Sequence, residues 1–170
     1  MKIRYFFYEL SSPANEVRPA VTYILRSAHL FDAPNTLQSA YSKYLFSSLD
    51  SDFSENRHGE FDKVLKEVGR IERLEINSYV FDGQGFIHEI NKKSVLFEHA
   101  IFGVCSHWPL WSCPLAHYKI AMQGWVKFLD FPKSLDSEMI VDLPNYEMAQ
   151  VTPFPPKMAD KEDVFNLKHD

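Results

Sequence analysis

Cysteine, glycine and long apolar runs are all scarce in this chain. Its 170 residues include two cysteines and six glycines. Cys105 and Cys113 lie eight apart, where a disulfide is geometrically possible. Two cysteines without an export signal are more simply read as reduced thiols in a cytoplasmic protein. Few glycines, and ten prolines without a repeat, exclude collagen-like and low-complexity chains. No stretch approaches the ~20 apolar residues of a membrane-spanning helix. The apolar opening Met1–Leu10 is interrupted by Arg4 and Glu9, and no small-residue cleavage site follows, so no signal peptide is expected. Positive charge is not in surplus either: Lys+Arg 18 against Asp+Glu 23 leaves −5. That balance argues against direct nucleic-acid binding and against a polybasic membrane patch. Catalytic signatures are missing as well. There is no G-x-S-x-G elbow, no phosphate-cradling G-x-x-x-x-G-K-[ST], no H-E-x-x-H helix and no deaminase pattern.

What is present is apolar and patterned: 45% of residues are hydrophobic and 15% aromatic, enough for one packed domain of this length. Residues 2–10 alternate as a strand and Val21–Leu25 read as a second, a wide hairpin between them. Ile24–Phe31 could also open a helical turn. Leu37, Ala40, Tyr41, Tyr44, Leu45 and Leu49 then recur at helical spacing behind the cap candidates Asp32–Thr36. Phe61, Val64, Leu65, Val68 and Ile71 predict a second helix from about Glu60. The period then shortens to that of strands over 76–81, 86–90 and 95–104, with Asp82-Gly83-Gln84-Gly85 and Asn91–Ser94 as turns, giving an antiparallel meander. After an aromatic loop at 105–114, Ser112 or Cys113 is placed to cap a third helix with Pro114 in its first turn. Leu115, Tyr118, Met122, Trp125, Val126 and Leu129 form its stripe, and Phe131-Pro132 ends it. Glu138–Leu143 is a last strand. The order β β α α β β β α β predicts an α+β fold with three helices and a mostly antiparallel sheet. Residues 1–144 form the single domain, and 145–170 a proline- and charge-rich tail, partly docked by Phe154.

Four groups of residues are candidates for chemistry or binding. Cys105, His107, Cys113 and His117 offer four zinc-type ligands in thirteen residues, but not at zinc-finger spacing, so no metal and no cofactor is assigned. His88, Glu89, Glu98 and His99 lie on neighbouring strands. Alternation allows two histidines, or one histidine and one carboxylate, to meet on one face for acid–base work. Carboxylates crowd Asp50, Asp52, Glu55, Glu60 and Asp62, and a second set is Asp130, Asp136, Glu138 and Asp142. Glu60 and Asp62 suit a helix N-terminus. The others read either as solvated surface or as a face that docks a basic partner. Trp108 and Trp111 are anchors for such a face or plugs of the core edge.

Three stretches carry a resemblance: Met1–Glu9; Tyr79-Val80-Phe81-Asp82-Gly83-Gln84-Gly85; and Trp111-Ser112-Cys113-Pro114-Leu115-Ala116-His117-Tyr118, continuing through Ala121-Met122-Gln123-Gly124-Trp125-Val126-Lys127-Phe128-Leu129. Together they resemble the small cytoplasmic immunity proteins of bacterial contact-dependent growth inhibition and related polymorphic toxin systems. The resemblance implies a compact, non-enzymatic protein that binds the C-terminal domain of a cognate toxin, frequently a basic nuclease, and occludes it. Under that expectation Asp50, Asp52, Glu55, Glu60, Asp62, Trp108 and Trp111 contact the toxin. The alternative expectation is a small metal- or histidine-dependent hydrolase using the Cys105–His117 loop or His88 and His99. A third is an adaptor domain that makes contact through the tail.

Overall fold

The computed structural model describes residues 1–14, 19–53 and 58–144. The expected tail at 145–170 and Glu55 lie outside them. The fold is α+β, with helices and two separate antiparallel sheets.

The first sheet is built on a long ribbon. Strands β1 (Lys2–Ser12) and β2 (Val21–Phe31) pair along all eleven residues, from Lys2 opposite Phe31 to Ser12 opposite Val21. The chain therefore continues as strand beyond Leu25, and the helical turn at Ile24–Phe31 does not form. Alternation explains why: Ala28 and Leu30 join Ile3, Tyr5 and Phe7 on one buried face. Burial stops where the sequence stops supplying it, because Glu9 and Ser11 occupy the next inward positions of β1. The distal half of the ribbon is therefore exposed.

The helices follow the expected stripes. Helix α1 (Asn35–Tyr41) runs through a π-helical turn (Ser42–Phe46) into α2 (Ser47–Asp52), so the three segments make one rod. The π turn inserts a residue, and Tyr44, Leu45 and Phe46 all become buried. Helix α3 (His58–Glu72) buries Phe61, Val64, Val68 and Ile71. The meander forms β3 (Ser78–Asp82), β4 (Phe86–Asn91) and β5 (Ser94–His99). Strand β5 is shorter than expected because the chain turns at 100–103, where Ala100 N donates to Gly85 O at 2.9 Å and Gly103 takes φ +58°. A short strand that sequence periodicity did not signal, β6 (Trp111–Pro114), adds to β5. Pro114 is consequently the last strand residue and the N-cap of α4 (Leu115–Leu129), without a side-chain cap from Ser112 or Cys113. Finally β7 (Glu138–Asp142) returns to pair with residues 2–6 of β1.

The sheet orders are β2-β1-β7 and β3-β4-β5-β6. Helix α4 joins them: Tyr5 of β1 donates from its phenol to Ala121 O at 2.9 Å, and Tyr118 lies 2.8 Å from His88 Nδ1 of β4, while Trp125 donates from its indole to Phe53 O, just after α2, at 2.9 Å. The ring of Tyr5 lies where a side chain at position 124 would be, so only glycine lets β1 approach the helix there.

Candidate functional site

Asp52 closes helix α2 on the apolar stripe, three residues after Leu49, and it is fully buried. Its carboxylate faces the β3–β4 turn. A side chain at Gly83 would come within 2.6 Å of Asp52 Cγ, and one at Gly85 would strike Ser51, so both glycines permit the close approach. Asp52 Oδ1 accepts from Gly85 N at 2.6 Å. Its Oδ2 lies 3.3 Å from His88 Nε2, and His88 Nδ1 lies 2.8 Å from the Tyr118 hydroxyl. A carboxylate only accepts, so Nε2 carries the imidazole proton. Nδ1 is then the acceptor and Tyr118 the donor. Asp52, His88 and Tyr118 all have 0% exposure. Burial lowers the imidazole from its ordinary value, with Asp52 opposing, and pushes the Tyr118 phenol well above its own. The result is a neutral histidine clamped between an acid and a phenol, tying α2, the β3–β4 turn, β4 and α4 together.

A second internal relay repeats the logic. His117 Nε2 lies 2.8 Å from Pro144 O, a carbonyl that only accepts, so the proton sits on Nε2. Nδ1 then accepts from the Tyr41 hydroxyl at 2.5 Å. Burial lowers His117 and raises Tyr41.

His99 stands nearer the surface. Its Nδ1 accepts from the backbone amides of Ile101 and Phe102 at 3.2 and 3.3 Å. Its ring packs 4.3 Å from Trp108, 4.8 Å from Phe102 and 5.3 Å from Phe86, and burial lowers its pKa. The Lys43 ammonium lies 4.6 Å over Trp108 and donates to His107 O. Ile101 and Phe102 beside them are 75% and 62% exposed. Lys43 also lines an open groove of about 450 Å³ with Asn35, Thr36, Ser39, Ala40, Tyr44 and Pro109.

The expected partner-binding residues are not brought together. Asp50 is exposed, Asp62 exposed and Glu60 half-buried, whereas Asp52 is a core residue and cannot belong to a surface face. Trp111 is likewise in the core, 5.4 Å from Tyr44 in a stacked pair and edge-on to Tyr41 at 5.1 Å. Only Trp108, half-buried under Lys43, remains as an anchor. The four zinc-type residues also part company. Cys113 is buried in β6, His117 is consumed by its relay, Cys105 is a half-buried free thiol and His107 is exposed. Among the described residues no three His, Cys, Asp or Glu gather as a metal-binding group. His88 and His99 do share one face of β4–β5, but Phe86 and Phe97 are their cross-strand partners, and only His99 is near solvent.

Sequence reasoning missed the surface on the opposite side of this sheet. Alternation places Val80 and Asp82 of β3, Ile87 and Glu89 of β4, and Leu96 and Glu98 of β5 there, facing away from the helices. Glu89 pairs with both Val80 and Leu96 in one row, and Ile87 with both Asp82 and Glu98 in the next. Three aliphatics thus alternate with three carboxylates, and the three strands put no lysine or arginine on that face. The signal was available: Val80-x-Asp82, Ile87-x-Glu89 and Leu96-x-Glu98 all repeat aliphatic then acid at the period of a strand.

No helix among the described residues is long and apolar enough to cross a membrane. Comparison with protein-family models, with characterised proteins and with solved structures finds no match to this chain.

Proposed function

We propose that this protein is a non-catalytic inhibitor, an immunity protein that binds and occludes a cognate toxin domain in the cytoplasm. The observation that carries the reading is the outer face of β3–β4–β5, where Val80, Ile87 and Leu96 interleave with Asp82, Glu89 and Glu98. A chequered face of aliphatics and carboxylates, with Val80 exposed and Ile87 and Leu96 half-buried, fits a basic protein surface with apolar centres, the character of a nuclease cleft. Carboxylates there would steer encounter and exclude phosphate, and the aliphatics would supply desolvated contact. The exposed loop residues Ile101 and Phe102 follow β5, with Phe102 against His99, and add a separate apolar patch. Asp50, Glu60 and Asp62 add acid elsewhere, without Asp52.

The interior supports the same reading. The two histidines with the strongest burial are held neutral, each with both ring nitrogens engaged, and so lack a free lone pair or proton for a substrate. The test is co-purification with the C-terminal domain of the toxin encoded immediately upstream. A stoichiometric complex that weakens at high salt supports the proposal, and absence of binding at low salt refutes it.

A further inference from the structure

The unguarded edge of β2 is a different surface from the one above, and we infer that it pairs with β2 of a second copy in an antiparallel, two-fold dimer. Strand order β2-β1-β7 leaves one whole side of β2 without a partner strand among the described residues. Proteins ordinarily blunt such edges with lysine, proline, bulges or short length. Val21–Phe31 is eleven residues long, has no lysine or proline, and is in unbroken register with β1. The opposite edge of the same sheet is protected: β7 has five residues and carries Glu138 and Asp142, so two copies of it would repel.

The side chains are compatible with a second copy in a register centred on Ile24. An antiparallel strand is complementary in backbone polarity to its own copy, and a two-fold axis closes the assembly after two chains. An axis at Arg26 would place two guanidinium groups opposite each other. An axis at Ile24 avoids this. It sets Ile24 against Ile24, Tyr23 against Leu25, Thr22 against Arg26 and Val21 against Ser27, pairing an aromatic with an aliphatic and leaving no like charges opposed. The outer face of the ribbon then becomes continuous across the axis. Tyr8, Leu10, Val21 and Tyr23 there are 39%, 52%, 38% and 50% exposed, and Ile24 on the other face is 42% exposed. These five are nearly half of the exposed large hydrophobics in the described chain, concentrated where the ribbon leaves the body. The two three-stranded sheets would join into one of six strands, with β7 at each end.

Sedimentation equilibrium of the full chain tests this at about 50 µM, a concentration suited to micromolar association. The expected result is a particle of twice 19.8 kDa that becomes monomeric in Ile24→Lys, with the two melting temperatures agreeing only at concentrations low enough for the wild type to dissociate. Should Ile24→Lys fail to fold, Ile24→Cys supplies the second reading. Directly opposed residues have Cα atoms about 4.5–5.5 Å apart, within disulfide reach, so mild oxidation gives a covalent dimer. Ile140→Cys, on the guarded strand β7, does not. A wild-type monomer, a mass that keeps growing with concentration, or equal cross-linking through Ile140→Cys overturns the inference.

Discussion

Replacing Asp52 by alanine should unfold the protein far more readily than replacing its exposed neighbour Asp50. The substitution strips two donors of their acceptor: His88 Nε2, which is sealed in the core, and Gly85 N, which is only partly covered. An abandoned buried donor costs about 1–3 kcal/mol, with the imidazole at the upper end and the amide, which water can reach, at the lower. The total is about 2–4 kcal/mol, or about 5–15 °C in melting temperature for a domain of this size. Asp52→Asn should cost about 1 kcal/mol. Its amide oxygen still accepts from Gly85, and the imidazole can move its proton to Nδ1, at the expense of reversing the Tyr118 hydroxyl. Asp50→Ala should stay within about 0.5 kcal/mol. Urea unfolding followed by tryptophan fluorescence measures all three. If Asp52→Ala and Asp50→Ala have the same midpoint, the buried clamp does not hold the β3–β4 turn to α2 and the reasoning fails.

Further predictions concern the packing and the charge. Gly124→Ala pushes a methyl into the Tyr5 phenol and should cost about 1–3 kcal/mol, measured by the same unfolding curves. Trp111→Ala, which empties a buried aromatic site, should cost about 3–5 kcal/mol, whereas Trp108→Ala on the half-buried loop should cost less than half as much. Acid should destabilise the fold in a definite window. His88 and His117 have lowered folded-state pKa values, so below about pH 6.5 the unfolded chain binds protons that the folded chain refuses. Stability is therefore full above that pH and declines as pH falls, by up to about 1.4 kcal/mol per pH unit for each histidine. Urea midpoints between about pH 7.5 and about pH 5.5 check the sign. A flat profile would mean that both imidazoles accept a proton in place.

Helix stripes and the meander were legible because each rests on local periodicity that the core then obeys. Phe61, Val64, Val68 and Ile71 are buried as the 3.6-residue spacing requires, and Phe86, His88 and Ile90 as the two-residue spacing requires. Strand β6 escaped because four residues with two aromatic or proline neighbours carry no period; only pairing with β5 makes them a strand. The length of β2 escaped because Arg26, Ser27 and His29 dilute its alternation, and the register with β1 decides it instead. At the candidate site, charge was read by proximity in sequence, which grouped Asp52 with Asp50. Helical phase separates them, since Asp52 lies on the stripe of Tyr44, Leu45 and Leu49. Long-range pairings such as His88 with Tyr118 depend on how α4 lies across the sheet, and no local pattern encodes that.

The most direct test of binding as the mode of action is calorimetric titration of the cognate toxin domain into the protein and into a variant carrying Asp82→Asn, Glu89→Gln and Glu98→Gln. These side chains lie on the outer sheet face away from the core, so the variant should fold and melt like the parent. The expected result is one-to-one binding to the parent, at least about tenfold weaker binding to the variant, and loss of most of the salt dependence. Equal affinity for parent and variant, with protection from the toxin unchanged, would contradict it.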